Sequence, residues 1–219
     1  MRKLVERWGV SPEKITRIYS TPKSIEISDS KEKLRTKFGY KNFIVITACR
    51  LVPWKGVHAL IDVIKALQDK GVLISLEILG DGVCRKELEE KVVGLDMNNS
   101  VSFRGNLDRD EMGKRIKASD VFVLNTSYEG LSHQLIEVMS LGTPIVTTPV
   151  GGNIELITHR ETGLLVPFND KEKIAETIME IKENPLQGES LALHAKDKAS
   201  EFTEEKVIQD FVTVLKKVS

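Results

Sequence analysis

The feature that most constrains this chain is the regular alternation of apolar, β-branched runs with segments of helical period. Each crossover between parallel strands lays a helix across the sheet, so both faces are covered and the strands become apolar along their whole length. The pattern therefore predicts an α/β fold with a doubly wound parallel sheet and helices on both faces. Its strands are predicted near residues 43–49, 73–79, 100–104, 120–124, 144–147 and 163–166.

After Pro167 the pattern predicts helices alone, near 170–183, 186–200 and 204–217. In the last of these, apolar residues recur at helical spacing, at Val207, Ile208, Phe211, Val212 and Leu215. Such a stripe must dock on another surface, and the sheet of this same domain is the simplest partner.

Residues 2–19 contain short sequence signals for several different kinds of secondary structure. They include a predicted helix from Arg2 to Trp8, a stop at Gly9, a helix start at Ser11-Pro12-Glu13 and a strand-like run from Ile15 to Tyr19. This mixture is more typical of an interdomain connection than of the first element of a sheet. We therefore divide the chain into a connection remnant at 1–20, an α/β domain at 21–185 and C-terminal helices at 186–219.

Charge and composition exclude several classes of function. Lysine plus arginine equals aspartate plus glutamate at 32 each, so no overall positive field favours nucleic acid or an anionic membrane. Cys49 and Cys84 lie far apart and show no metal-ligand spacing, which predicts reduced cysteines of an intracellular protein. With no signal-peptide core and no apolar run long enough to span a membrane, we expect a cytoplasmic protein without membrane insertion.

The segment 125–137 leads from an apolar strand through a polar turn into a largely apolar helix, which we predict to begin near Leu131 or Ser132. The free backbone N–H groups of residues 131 to 133 would face an anion there. Gly130 would let a phosphate come close, because it has no side chain in the way. This helix start is the best predicted anion site of the chain.

Two carboxylates, Glu129 and Glu137, flank this helix start eight residues apart. Both would be costly to desolvate, so we expect polar partners such as the hydroxyls of a ligand. His133 and Glu137 also share a helix face at i,i+4 spacing. For His133 we favour an ordinary surface pairing, whereas Glu137 lies between the apolar Ile136 and Val138 and is expected to reach ribose hydroxyls beside a bound phosphate.

Arg50 and Lys55 directly follow the first predicted strand, five residues apart around Pro53. Open parallel sheets bind ligands at the carboxyl ends of their strands, where these two cations would lie. Arg50 as a bidentate fork and Lys55 as a point charge could clamp a diphosphate. On spacing alone, two solvated surface residues are an equal alternative.

Two glycine turns follow the next two predicted strands. Gly80-Asp81-Gly82 precedes a helix, but Arg85 stands where a dinucleotide fingerprint needs its third glycine, which disfavours a nicotinamide or flavin site. Gly105-Asn106-Leu107 offers a backbone edge that could meet a base. For both turns, a tight strand-to-helix connection without a ligand is the alternative.

Together these motifs resemble the family 4 glycosyltransferases, which are retaining enzymes of the GT-B fold. The resemblance covers residues 10–218 and rests on the ordered set Arg50-x4-Lys55, Gly80-Asp81-Gly82, Phe103-Arg104-Gly105, Ser119-Asp120, Glu129-x7-Glu137, Gly142-Thr143-Pro144, Gly151-Gly152 and Glu155. In that family two Rossmann-like domains face each other across a cleft, and the C-terminal one binds the sugar nucleotide. This chain resembles that C-terminal domain, which implies a Rossmann-like nucleotide-sugar-binding domain at 21–185.

The resemblance also implies a role for each matching residue. Arg50 and Lys55 would contact the donor diphosphate and stabilise the leaving group, and Glu129 would bind and orient the transferred sugar. Glu137 would bind the ribose, and the backbone N–H groups of Gly130, Leu131 and Ser132 would meet the phosphates. The loops with Gly80, Gly82, Gly105, Asn106 and Leu107 would flank the base.

Two departures from the family pattern define what this chain lacks. Residues 19–25 replace the usual Asn-Gly-Val-Asp-like entry turn, and the acceptor-binding N-terminal domain is not in the chain. The helices at 186–219 are therefore expected to pack on the domain or on that missing domain, and an exposed stripe would favour self-association.

The implied function is the donor-binding half of a retaining hexosyltransferase that uses a UDP- or GDP-linked sugar, needs no metal or cofactor and is inactive without an acceptor domain in cis or in trans. A stand-alone nucleotide-sugar-binding module and a fragment of a GT-B nucleotide-sugar epimerase are the alternatives.

Overall fold

The computed structural model describes residues 2–23 and 25–218. Its centre is a six-stranded, all-parallel sheet in the order β3-β2-β1-β4-β5-β6. The strands are β1 (Phe43–Ala48), β2 (Ile74–Leu79), β3 (Val101–Gly105), β4 (Val121–Leu124), β5 (Ile145–Thr147) and β6 (Leu164–Leu165). The predicted α/β, Rossmann-like doubly wound sheet is confirmed, and each strand lies where the apolar runs predicted it, within one residue or so at its ends.

Helices connect the strands and continue beyond the sheet. They are α1 (Arg2–Arg7), α2 (Lys31–Phe38), α3 (Val57–Asp69), α4 (Arg85–Gly94), α5 (Arg109–Ala118), α6 (His133–Leu141), α7 (Asn153–Leu156), α8 (Lys171–Glu183), α9 (Pro185–Ala199) and α10 (Glu204–Val218). The described residues contain no helix long and apolar enough to cross a membrane.

The sheet has a separate apolar core on each face because successive side chains of a strand point to opposite sides. In β4, Val121 and Val123 pack with α3, α4 and α8, whereas Phe122 and Leu124 pack with α5, α6 and α9. Each fully buried aliphatic side chain contributes about 1.5–3 kcal/mol relative to an exposed one. Because both faces of the sheet are covered, apolar residues in β1 and β4 follow one another without alternating polar ones, as the predicted two-sided burial requires.

The opening segment differs from its prediction in one element. The helix, the left-handed Gly9 and a short 3₁₀ turn at Pro12–Lys14 are present, but the strand-like run from Ile15 to Tyr19 forms no strand. Side-chain contacts hold this run instead, because Arg17 and Tyr19 both donate to Glu155 on α7, at 2.8 and 2.6 Å. Burial, with Glu155 beside it, raises the pKa of Tyr19 to about 12 and keeps its hydroxyl a donor.

The C-terminal helices separate into a docked and an undocked one. The α9 helix packs against α6 and buries Leu191 and Ala195. The apolar stripe of α10 does not dock on this domain's own sheet, since Ile208, Phe211 and Leu215 are each at least half exposed. The expectation that the stripe docks on the sheet of this domain is therefore wrong. The division of the chain into residues 1–20, 21–185 and 186–219 stays a prediction.

We expect this exposed stripe to cause concentration-dependent self-association, because contiguous apolar surface gains free energy when it is covered. Sedimentation velocity over a concentration series should show larger species that Phe211→Ser diminishes. Leu73→Ser, at a more exposed apolar residue outside α10, should leave the distribution unchanged. A monodisperse monomer at all concentrations would contradict the expectation.

A buried ion cluster lies on β2, centred on Glu77, which is only 3% exposed. Its carboxylate accepts from Arg104 at 2.8 and 2.9 Å, from Arg115 at 3.0 Å and from the Tyr40 hydroxyl. Burial beside Glu77 raises the pKa of Tyr40, so its hydroxyl stays protonated and donates. The cluster ties the turn after α2 and the helix α5 to the sheet.

Removing this carboxylate should take one of two carboxylate partners from the largely buried Arg115, which keeps Glu111, and should also remove the acceptor of Arg104 and of the Tyr40 hydroxyl. We expect Glu77→Ala to lower the free energy of unfolding by roughly 3–5 kcal/mol, measured by urea denaturation. Glu90→Ala, at an exposed carboxylate on α4, should change it by less than about 0.5 kcal/mol. A similar small effect for both variants would show that the cluster is not a stabilising centre.

Candidate functional site

The order of the sheet reverses between β1 and β4, and the main candidate site lies at their carboxyl ends. In an open parallel sheet, the loops after such a pair of strands diverge and leave a crevice. Here a cavity of about 310 Å³ opens directly beyond Ala48 and Leu124. Its lining residues include Arg50, Trp54, Lys55, Glu129, Ser132, His133 and Gln134. Four of the residues predicted from the sequence are thus brought together in one place.

Lys55 is positioned by the loop after β4 rather than by its own helix. The carbonyl of Trp54 accepts from the Thr126 hydroxyl at 3.1 Å and from the Ser127 N–H at 2.9 Å. Gly56 is in the left-handed region with φ of 55°, and its carbonyl accepts from the Asn125 side-chain amide at 2.9 Å. These bonds join the segment after β1 to the segment after β4, so the cation and Glu129 share one rigid frame.

The charges of this cavity are only partly compensated. Lys55 forms an ion pair with Glu129, and both side chains are less than a fifth exposed. Arg50 is exposed and forms no ion pair with any described residue. The site therefore keeps a net positive charge beside the positive end of α6, an arrangement that favours an anion.

The helix start differs slightly from its prediction. The α6 helix begins at His133, and Ser132 is its N-cap, with the hydroxyl accepting from the Leu135 N–H at 3.3 Å. The backbone N–H groups of residues 131 to 134 find no acceptor among the described residues. Four donors therefore remain available at the predicted anion site, beginning with Leu131.

The loop that carries Glu129 and Gly130 rests on two glycines. A Cβ on Gly151 would lie 1.7 Å from the Glu129 carbonyl oxygen, and one on Gly152 would lie 2.4 Å from that of Gly130. The Gly152 N–H also donates to the Gly130 carbonyl at 2.8 Å. Gly130 itself has open space around its own Cβ position. No described side chain therefore obstructs the predicted approach of a phosphate to Gly130, and the loop is supported from below by the backbone of Gly151 and Gly152.

A second cavity of about 380 Å³ continues from the first. Both are lined by Ala48, Cys49, Arg50 and Gln134, and the second adds Gly80, Asp81, Asn106, Leu107 and Met112. Two of the predicted base-flanking loops therefore meet at one groove, with Arg50 at the junction. Burial raises the pKa of the Cys49 thiol to about 11, so Cys49 is a neutral wall of this groove.

The glycines of these loops act mainly through close backbone approaches. A Cβ on Gly80 would lie 2.1 Å from the Cys49 carbonyl oxygen, and one on Gly82 would lie 2.3 Å from that of Leu51. Gly80 also donates its N–H to the Gly105 carbonyl at 2.7 Å. Gly82 and Gly105 do not line either cavity. For Gly82 and Gly105, the need for a tight turn is therefore enough to explain why the residue is glycine, without a contact to a ligand.

Glu137 and His133 do not pair with each other. Glu137 is 8% exposed and accepts from Arg109 Nε at 3.2 Å and from its Nη2, while His133 Nε2 lies 2.8 Å from the Ser20 hydroxyl. The expected surface link at i,i+4 is therefore wrong, because a guanidinium reaches the carboxylate from α5. Glu137 lines a different cavity of about 620 Å³, and its carboxylate accepts at 3.5 Å from the side chain of Gln134, which lines the groove.

Sequence reasoning missed several lining residues, among them Cys49, Trp54, His133 and Gln134. Each lies within two residues of a predicted site residue, so proximity along the chain was the available signal. Gln134 carries no charge and is the second residue of α6, so only the folded helix shows that it lines both cavities.

The comparisons with known proteins agree with this geometry. Residues 29–202, most of the chain, match the family model described as glycosyl transferases group 1. The chain belongs to this family of GT-B glycosyltransferases. The matched segment contains the whole groove and both of its loops.

The chain is similar to a curated relative and to two solved structures. Mannosylfructose-phosphate synthase of Agrobacterium fabrum is 28% identical over 225 residues, which cover 97% of this chain and 50% of that protein. HepE of Anabaena, crystallised with UDP, is 25% identical with a TM-score of 0.87 over 99% of this chain and 61% of its own. The C-terminal domain of a group 1 glycosyl transferase of Francisella tularensis has the same fold, with a TM-score of 0.72 at 20% identity, over 83% of this chain and 96% of its own. This glycosyltransferase chain spans about half the length of the curated relatives it matches.

The close approach of Gly151 to the Glu129 carbonyl can be tested by substitution. Gly151→Ala should lower the free energy of unfolding by at least about 1–3 kcal/mol, because Gly151 has φ of 53° and its Cβ would overlap the Glu129 carbonyl. Gly94→Ala, where a Cβ meets nothing within 4 Å, should be neutral or slightly stabilising. Chemical denaturation of both variants checks this, and equal stability of the Gly151 variant and the parent would contradict the close approach.

Proposed function

We propose that this chain is the donor-binding half of a retaining glycosyltransferase that moves a hexosyl group from a nucleoside diphosphate sugar to a hydroxyl acceptor. The donor would carry UDP or GDP, and transfer would need an N-terminal acceptor domain in cis or in trans. The chain would be inactive alone, and the transfer reaction would use no metal or cofactor.

One observation carries the proposal: the cavity at the strand-order reversal brings Arg50, Lys55, Glu129 and the start of α6 together. Two cations and four free N–H groups are the donors that a diphosphate needs. The continuous second cavity adds a partly apolar space beside Leu107 and Met112 that suits a base. Each cavity volume lies near the range of about 300–1,000 Å³ usual for small-molecule sites.

The Lys55–Glu129 ion pair suggests how donor binding would proceed. A diphosphate would compete with Glu129 for Lys55, since it carries more negative charge than the carboxylate. Glu129, released from the lysine, would then accept hydrogen bonds from hydroxyls of the transferred sugar. Binding would thus exchange one ion pair for two sets of ligand contacts.

The same groups would act in the transfer step. Negative charge grows on the leaving diphosphate as the bond to the anomeric carbon breaks, and Arg50, Lys55 and the N–H groups of Gly130, Leu131 and Ser132 would stabilise it. These groups are held before the donor arrives, so little reorganisation would accompany charge development. Glu137 would bind the ribose, for which its carboxylate must turn from Arg109 towards the groove.

The relatives support the nucleotide part of the proposal. HepE of Anabaena has been crystallised with UDP, with UDP-glucose, and with UDP and glucose. A uridine diphosphate sugar is therefore the first donor to test on this chain, ahead of GDP-linked sugars.

We expect isothermal calorimetric titration of this chain with UDP, GDP and ADP, and with their sugar conjugates, to show micromolar binding of one nucleotide series. Lys55→Ala should weaken it at least about tenfold, because one charged hydrogen bond contributes roughly 1.5–3 kcal/mol. Lys86→Ala, at a lysine 90% exposed on α4, is the matched control and should bind like the parent.

Loss of Lys55 also leaves Glu129 unpaired, so a second variant separates the two effects. Lys55→Ala combined with Glu129→Gln removes that unpaired charge, and we expect it to regain part of the affinity without reaching the parent value. Unchanged binding in Lys55→Ala would remove Lys55 from the site. No binding of any nucleotide to the folded parent would contradict a preformed donor site.

A further inference from the structure

A cluster of metal-ligating side chains lies outside the proposed donor groove. His58 on the first turn of α3, Cys84 at the N-cap of α4 and Glu87 in the first turn of α4 each bring one ligand atom within 4.8 Å of the other two. The sequence showed no metal spacing around Cys84, because His58 is distant along the chain. Packing of α3 against α4 creates the cluster.

We propose that His58, Cys84 and Glu87 bind a borderline-soft divalent transition-metal ion, with Zn²⁺ as the preferred occupant. Thiolate, imidazole and carboxylate are the ligands that zinc takes in proteins, whereas Mg²⁺ and Ca²⁺ prefer oxygen alone. Three protein ligands would leave a fourth position for water. The proposal does not depend on the donor site.

The observed geometry is close to that of a loaded site. In a tetrahedral zinc site with ordinary bond lengths, neighbouring ligand atoms lie roughly 3.5 Å apart. His58 Nε2 and Glu87 Oε1 are already 3.6 Å apart. The ligand atoms, now within 4.8 Å of one another, need to move only slightly closer together. Glu87 can make this movement because its side chain is 71% exposed and can change rotamer.

The burial of Cys84 and the partial burial of His58 also suit a metal better than a chance surface cluster. Cys84 is 6% exposed, and its thiol makes no hydrogen bond with any described residue. His58 is about one third exposed, so the site is anchored from inside and open to solvent on one side. A metal ion would displace the thiol proton and give the sulfur the partner that the described structure lacks.

The position of the cluster suggests what an ion would do. The Cys84 N–H donates to the Leu51 carbonyl at 3.0 Å, and the Leu51 N–H donates to the Asp81 carbonyl at 2.9 Å. His58 follows Gly56 by two residues. A metal that links α3 to α4 would therefore brace both ends of the segment 50–56, and so stabilise the folded state.

The test is titration of the reduced, nucleotide-free chain with Co²⁺ and then Zn²⁺. We expect a thiolate-to-Co²⁺ charge-transfer band at one equivalent, displaced by Zn²⁺, and a thermal midpoint several degrees higher with Zn²⁺. Cys84→Ser and His58→Asn should each weaken metal binding at least about tenfold, and Glu87→Gln should weaken it less. Cys49→Ser and Glu90→Gln are the matched controls and should bind like the parent.

Metal binding that survives in Cys84→Ser, or a charge-transfer band lost in Cys49→Ser, would overturn the proposal. So would the absence of a thiolate band in the parent. Circular dichroism of the metal-free variants establishes that they are folded. If Cys84→Ser fails to fold, His58→Asn decides, because its partly exposed side chain can be replaced without opening the core.

Discussion

The structure depends on where the carboxyl ends of β1 and β4 meet. These two strands are neighbours in the sheet, yet their following crossovers leave towards opposite edges, and right-handed connections place their helices on opposite faces. No helix can cover the gap between them. The cavity beyond Ala48 and Leu124 is the direct result, and it needs no specialised residue to exist.

Backbone contacts between loops then determine how narrow this gap becomes. Gly80 lies against the Cys49 carbonyl, and Gly151 lies against the Glu129 carbonyl, at separations that no side chain would allow. The Trp54 carbonyl accepts two hydrogen bonds from the loop after β4. As a result, Arg50, Lys55 and Glu129 are carried by segments bonded to one another, and their positions do not rely on long flexible side chains alone.

The electrostatics of the site follow from this frame. Lys55 is compensated by Glu129, while Arg50 and the start of α6 are not compensated by described residues. In a preformed site, such uncompensated donors cost stability that a ligand can restore. The buried cluster around Glu77 shows the contrary case, in which a carboxylate meets two arginines and a tyrosine and has no capacity left for a ligand.

The sequence by itself determined the α/β class, the six strands and their order of appearance. A strand that is buried on both faces needs apolar residues along its whole length, so each strand is visible as an apolar run. It also located Arg50, Lys55, Glu129 and the start of α6, since strand ends and helix starts are local features. Tertiary structure decided the rest. Arg109 reaches Glu137 from another helix, α10 leaves its stripe uncovered, and His58 comes to Cys84 through packing of α3 on α4. Each of these depends on side chains far apart in sequence, whose meeting no local periodicity encodes.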